Sequence, residues 1–393
     1  MKTKYLLCAL LCIISLGKIK ATDLYVRDLG VGGAYPTISA AITAANDGDR
    51  IIIRPKSGNV PYLENLTINK SLTFASEINF NKYYVQGTIS IVPAVNRVVT
   101  INNMYAFQSN ISTSAVTLSG GRATVNIINC IVDLDINLAT KNVTANIHGN
   151  TCKNIKIVHG KITGNNCENV TISGDTAPLA TSEIYVIGNT SGQINPYSSY
   201  PINILNNDII YGGLPIWITD LKPGSTNTIQ NNRVQTLWNN AAPVYVSAAY
   251  STTTANVVII NNILIGNTNT DKITVNPNTP LITAIANYNL SSNGFLTSGV
   301  DIQSNNIANA TYNLNLNNLT SSGAIINAGV PDEEYQDLDL SRNDIGPLGG
   351  SNSWVNYWSL NPGNKPRVMF LNTPRRVYQG TTTIQAEATG ISK

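Results

Sequence analysis

The sequence predicts an all-β chain wound as a solenoid of short stacked strands, and three observations carry that prediction. A motif of alternating apolar residues ending in Asn recurs along the chain, as Thr100-Ile101-Asn102-Asn103, Asn126-Ile127-Ile128-Asn129, Ile202-Asn203-Ile204-Leu205-Asn206-Asn207, Val258-Ile259-Ile260-Asn261-Asn262 and Ile302-Gln303-Ser304-Asn305-Asn306. Successive copies fall about 16–30 residues apart, a spacing that belongs to repeat architectures, and no helical periodicity runs between them. Composition fits as well. Of 393 residues 42% are apolar and only 12% charged, against about 25% charged in an ordinary domain. One coil cannot bury its inward Ile and Val alone, whereas stacked coils make a continuous core. Asn serves the turns because it tolerates left-handed backbone angles, and stacked Asn amides can hydrogen-bond along the stack. The repeats are too short for the four-stranded blades of a propeller.

Residues 1–21 read as a secretory signal peptide: Lys2 and Lys4 precede an apolar run from Tyr5 to Leu16, too short to span a membrane. The mature chain is expected to be secreted, periplasmic or held at the cell surface. The segment YPTISAAITAANDGDRIIIR, Tyr35 to Arg54, sets the pattern for the strands downstream. Ile38, Ala41, Ile42 and Ala45 recur at helical spacing, so Thr37–Ala45 forms a short amphipathic helix. Asn46-Asp47-Gly48-Asp49 stops it, and Ile51-Ile52-Ile53 begins a buried strand. Tyr62 to Ile68 and Ser71 to Phe74 continue as strands. A solenoid needs covered ends, because an open last coil is an unpaired edge. The helix suits the first end. Val368–Leu371 and Thr383–Ala388, two strands about the Pro374-Arg375-Arg376 turn, are expected to pack on the last coil.

Beyond the leader, Cys130, Cys152 and Cys167 are an odd set and form no disulfide framework. They are expected to be buried free thiols; their contexts, Asn129-Cys130-Ile131, Asn150-Thr151-Cys152 and Asn166-Cys167-Glu168, are similar enough that they could stack in one column. A net charge of +3 with no basic run gives no sign of a nucleic-acid partner.

The segment from Tyr35 to Arg54, followed by Tyr62-Leu63-Glu64-Asn65-Leu66-Thr67-Ile68, resembles the start of pectin-lyase-like right-handed parallel β-helix proteins. The segments 322–331 and 337–350 resemble the closing motif of secreted bacterial members. The resemblance implies a single-stranded right-handed parallel β-helix over residues 22–350, with a short N-terminal capping helix. Residues 351–393 would form a small C-terminal β cap that resembles the start of an immunoglobulin-like domain. That fold serves lyases, hydrolases, adhesins and tailspikes, so it leaves function open.

A hydrolase needs paired carboxylates, and no Asp-Asp pair occurs on a mid-chain repeat. A uronate lyase needs a cation for the substrate carboxylate and a base for the adjacent proton. Both histidines, His148 and His159, lie near Lys153, Lys156 and Lys161, and Lys156 and His159 are the candidate clamp and base. Asp208, Tyr211, Trp217, Asp220, Arg233 and Trp238 combine aromatic and polar groups suited to a sugar face. Of these Trp217, Asp220, Arg233 and Trp238 are the candidate ligand-binding set. Asp337, Asp339, Ser341, Asn343 and Asp344 supply alternating hard oxygens that could encircle Ca²⁺, the only cofactor suggested. The alternative there is a capped turn with Arg342 pairing an Asp. The expected function is binding or presenting to polysaccharide at the cell surface, adhesin-like or structural. The alternative is a polysaccharide lyase on a uronate-containing polymer.

Overall fold

The structure, a computed structural model, describes residues 21–393 apart from 79–80, 117, 119, 176–181, 248–253, 277–280, 358–366, 374–381, 385 and 392–393. The leader's first twenty residues and the Pro374-Arg375-Arg376 turn therefore lie outside the described residues. Among the described residues, no helix is long and apolar enough to cross a membrane.

The chain is mostly β and its strands build long parallel sheets, consistent with a β-helix solenoid. Among the described residues sheet A has thirteen strands, from Asp23–Val26 to Ile302–Ser304, and sheet C has eleven, from Leu66–Ile68 to Leu296–Ser298. The third side, sheet B, is two four-stranded sheets joined by single bridges running Ile131–Thr151–Asn166–Thr190. Each circuit of the chain visits A, B and C in turn. Val98–Asn102, Met104–Ala106 and Ile111–Thr113 are one such circuit, and Ala123–Ile128 opens the next.

Period-2 alternation decides what points inward. Ile101, Ile127, Ile147, Ile162, Val186, Ile204, Ile229, Ile259 and Ala286 stand in one unbroken register on sheet A, each no more than 1% exposed. Burying one such Ile is worth roughly 1.5–3 kcal/mol. The stack is therefore held by a column of many similar apolar terms, with Val186 and Ala286 contributing less than the Ile positions.

The paired residues Asn-Asn and Gly-Asn explain the corner between sheets A and B. The first residue of each pair has positive φ: Asn206 at 52°, Asn231 at 54°, Asn261 at 57° and Gly188 at 64°, a region open chiefly to Gly and Asn. The second points inward. Asn150, Asn165, Asn189, Asn207, Asn232, Asn262 and Asn289 are buried and, with the half-buried Asn306, form a ladder in which the backbone N–H of each of the first seven donates to the next Oδ1 at 2.8–3.0 Å. The expected column of Asn amides is thus observed.

Cys130 ends the ladder. Its N–H donates to Asn150 Oδ1 at 2.8 Å, and its thiol meets the Ile128 carbonyl at 3.2 Å. All three thiols are free and buried, and burial pushes Cys130 to about 11 and Cys167 to about 12. One expectation is corrected here. Cys152 and Cys167 follow the paired residues Thr151 and Asn166 and share a column, but Cys130 occupies the ladder position instead.

The N-terminal helix α1 spans Ile38–Ala44, with Thr37 accepting from the Ala40 N–H at its start. Its Ile38, Ala41 and Ile42 are buried against the first coil. Both ends are tied to later turns. Glu64 accepts from the Ile38 and Ser39 N–H groups at 2.9 and 2.8 Å. Lys70 donates to the carbonyls of Ile42, Thr43 and Ala45 at 2.9, 2.8 and 2.6 Å. A carboxylate at the start and an ammonium at the end both oppose the exposed peptide dipoles. For the same reason Tyr62 to Ile68 is two strands, Tyr62–Leu63 and Leu66–Ile68, broken where Glu64 turns toward the helix.

The C-terminal region departs from expectation. The antiparallel strands Arg367–Asn372 and Glu387–Ile391 lie on the flank of sheet A, where Phe370 packs with Ile187, Leu205 and Tyr357. Ile187 and Leu205 are apolar residues facing outward from mid-chain coils, and they draw the hairpin sideways rather than over the last coil. The chain reaches them along the column of left-handed residues. Asn261 accepts from the Val330 N–H, Asn231 donates to the Gly346 carbonyl, and Asn206 donates to the carbonyls of Pro347 and Gly349.

Candidate functional site

A cavity of about 470 Å³ opens on the outer face of sheet A beside the C-terminal hairpin. Its lining includes Thr144 and Asn146 of strand Val143–His148, His159, Lys161 of strand Gly160–Thr163, Glu183, Tyr185 and Glu387. Period-2 alternation puts Thr144, Asn146, Lys161 and Tyr185 outward, and parallel stacking brings their three coils together. Gly160, at φ 136°, lets the chain press onto the coil beneath, since a Cβ there would meet the Ala145 carbonyl oxygen at 1.7 Å.

His159 is held by a network behind the cavity. Arg122 Nε donates to Thr144 Oγ1 at 3.2 Å, and that hydroxyl meets His159 Nδ1 at 3.1 Å. The ring stacks on Tyr200 at 4.5 Å. The Tyr200 hydroxyl donates to Asp175 at 2.7 Å, and Arg122 pairs with the same carboxylate at 2.8 Å. Burial acts to raise Asp175, but bonds from Tyr200, Arg122 and the Asn142 N–H hold it below its ordinary value. Among the described residues Nε2 of His159 has no partner, so it is the ring nitrogen left for a ligand. Lys161 pairs with Glu387 across the cavity mouth, and Tyr185 donates to Glu183 at 2.7 Å. A neutral imidazole, an ammonium, a phenol and two carboxylates around one cavity can bind a polar ligand and accept a proton from it.

Burial, then the charge of Arg122, push His159 down to about 4 against the partial opposition of Asp175. Burial, then Lys161, push His148 down to about 4 as well. His148 is 1% exposed, with Nδ1 on Thr163 Oγ1 at 2.7 Å. Both folded-state values lie below the ordinary 6.5, so the unfolded chain protonates first as pH falls. Stability is therefore lost between pH 6.5 and 4, on the order of 3 kcal/mol for each ring. Asp337, raised to about 6 by burial, works in the opposite sense over its own range. Denaturant midpoints measured across pH 4–7 are expected to fall toward acid, and H148N with H159N to flatten that slope. An unchanged slope would assign the acid sensitivity to other groups.

The structure separates several residues that sequence reasoning grouped. Lys156 stands on sheet C, paired with Asp135 at 3.3 Å, whereas His159 faces the cavity on sheet A. Lys161 is the lysine that shares a cavity with His159. Trp217 lies on sheet C in register with Tyr245, and Asp220 beyond it accepts from the Leu221 N–H at 2.9 Å. Arg233 lies on sheet B in a bidentate pair with Asp208. Trp238, 64% exposed, flanks Gly212 and Gly213 at the corner between B and C, with Tyr211 against Gly213. The four candidate ligand-binding residues thus occupy two sides of the coil.

The oxygens proposed for Ca²⁺ are turned onto the chain itself. Asp337 accepts from the N–H groups of Asp344 and Gly350, Asp339 from the Ser341 N–H and hydroxyl, and Asp344 from the Asn327 N–H. Asn343 accepts from Asn231 at 3.0 Å. Among the described residues Arg342 pairs with no Asp; it donates to the Gly329 carbonyl at 2.8 Å and stands over the Tyr288 ring. Among the described residues no group of three or more His, Cys, Asp or Glu side chains is arranged to hold a metal ion.

Comparison with family models, with curated proteins and with solved structures gives no match to this chain.

Proposed function

We propose that this chain is an exported right-handed parallel β-helix of the pectin-lyase-like kind that binds polysaccharide at the cell surface. The leader-like residues 1–21 support export. The observation that carries the binding reading is the outer face of sheet C. Its central outward column runs Thr67, Ser90, Ser112, Asn137, Lys156, Thr171 and Asn195, then Trp217, Tyr245, Thr274 and Ser298, and none of these is buried. Hydroxyls, amides and two rings repeat there at about 4.8 Å. Such a row can match a polymer that itself repeats, with the rings offering flat apolar area. The test is a polysaccharide panel with wild type, Trp217→Ala and Tyr245→Ala. Binding at least about tenfold weaker in the variants, about 1.4 kcal/mol, is expected; unchanged binding would move the site off sheet C.

A second reading, a polysaccharide lyase, is favoured by the meeting of His159 and Lys161 in one cavity. An ultraviolet signal from unsaturated uronate that vanishes in His159→Ala and Lys161→Ala would establish it. No signal on any uronate polymer would remove it.

A further inference from the structure

The first coils carry a groove that sequence reasoning did not single out. Two adjoining cavities, of about 410 and 350 Å³, share Asn65 at the corner between sheets B and C. The larger is lined by amides and hydroxyls, chiefly those of Gln86, Thr88, Gln108, Ser109 and Asn110, with no charged side chain among the described residues. The one charged residue lining the smaller, among the described residues, is Lys70, whose ammonium is occupied by the carbonyls closing α1.

The donors in this groove are held in fixed directions. Asn65 Oδ1 accepts from the Thr88 N–H at 2.8 Å, and Asn110 Oδ1 from the Asp135 N–H at 2.8 Å. Each amide is therefore oriented by its oxygen, and among the described residues neither Nδ2 has a partner. Since Leu66, Ile89 and Ile111 are in register, Asn65, Thr88 and Asn110 stand one above another on three successive coils, about 4.8 Å apart. The next position in that column is Asp135, ion-paired with Lys156, and there the uncharged stretch ends. Gly87, at φ 140°, keeps the floor tight, since a Cβ would lie 2.2 Å from the Glu64 carbonyl oxygen.

Beside the groove, two residues along the strand from its lining residue Gln86, the outer face of sheet B is aromatic. Tyr84 and Gln86 both face outward from strand Tyr83–Gln86. The Tyr84 ring lies 4.7 Å from Tyr105, which meets Phe107 edge-on at 5.9 Å; all three are half-buried. The nearby carboxylate, Asp133, is engaged by the Tyr105 hydroxyl and by the Gln108 N–H at 2.8 Å.

From these features we infer that the groove over the first coils binds an uncharged oligosaccharide, its hydroxyls on the amide column and a sugar face against Tyr84 and its neighbours. Amides and hydroxyls match sugar hydroxyls in both donor and acceptor roles. Aromatic faces suit the apolar side of a pyranose. A polyanion would find no free cation among the described residues of the groove to offset its desolvation. This inference rests on the polysaccharide-binding reading and narrows it to a neutral class.

The experiment is titration calorimetry of the intact protein with neutral β-glucan, xylan and mannan oligosaccharides and with polyuronate oligosaccharides, at low and high salt. Variants are Tyr84→Ala and, at an exposed position that leaves the backbone bonds in place, Gln108→Ala. The expected result is a neutral oligosaccharide bound with little salt dependence and weakened at least about tenfold by either variant. A neutral ligand indifferent to both variants, or salt-sensitive binding of polyuronates alone, would overturn the groove assignment and leave surface glycan binding standing. No binding of any glycan would overturn both.

Discussion

Ile259→Asp is expected to abolish the folded state of the coils around strand Ala255–Ile260 at neutral pH, whereas Val258→Asp, one residue away, leaves it nearly unchanged. Ile259 is 0% exposed, between Ile229 and Ala286 in the inward register of sheet A. Its carboxylate replacement would meet only apolar neighbours in that column. Removing the side chain alone costs about 2–5 kcal/mol, and an unpaired buried charge adds several more. The sum reaches the whole stability of an ordinary domain, about 5–15 kcal/mol. Val258 points outward and is only half-buried, so Asp there is solvated. Guanidinium unfolding followed by circular dichroism, with limited proteolysis to locate the damage, measures the contrast. Equal stability of the two variants would show that the strand's inward set had been assigned one residue out of register. Because each coil rests on its neighbours, cleavage is expected first in the loops flanking the damaged coil.

That register was legible in the sequence because its signal is local. Alternation before each Asn declares which residues face inward, and Asn-Asn and Gly-Asn pairs mark the corner that needs a left-handed residue followed by an inward amide. The helix was legible for the same reason, from four apolar residues and a Gly-Asp stop. The sites were not, because stacking brings together residues that are far apart in sequence or point to different sides. Lys156 and His159 are three residues apart, yet the turn between them carries one to sheet C and the other to sheet A. Lys161 meets Glu387 across 226 positions, a distance no local pattern reports. The groove beside Tyr84 was missed for a further reason: its donors are ordinary Asn and Gln in an Asn-rich chain. Only the stacking of Asn65, Thr88 and Asn110 makes them a set. The acidic segment from Asp337 to Asp344 is a case in which the structure adds what the sequence does not display. Its alternating oxygens read as candidate metal ligands, and only the folded chain shows backbone N–H groups bonded to Asp337, Asp339 and Asp344.

The ladder allows a test that separates its hydrogen bonds from simple packing. Asn232 donates through Nδ2 to the carbonyls of Ile204 and Gln230 at 2.8 and 3.0 Å and to Asn262 Oδ1 at 2.9 Å. Its own Oδ1 accepts from the N–H and the amide of Asn207 at 2.8 and 3.0 Å. Asn232 is 0% exposed, so no water replaces what is lost. Asn232→Ala strands the Asn207 N–H and the Ile204 carbonyl, each costing about 1–3 kcal/mol, for a total on the order of 4 kcal/mol. Asn232→Asp keeps the acceptor for Asn207 but turns a carboxylate oxygen toward three carbonyl oxygens. That carboxyl would be driven upward by burial and repulsion. A folded-state value above the unfolded one makes stability fall as pH rises, so Asn232→Asp should be closest to wild type in acid and worst at neutral pH. Asn232→Ala should show no such added dependence. Denaturant midpoints of the three proteins, compared at pH 5 and pH 8, read this directly. If Asn232→Asp and Asn232→Ala shift in parallel with pH, the donor side of the amide contributes nothing beyond its volume, and the stack is held by its apolar columns alone.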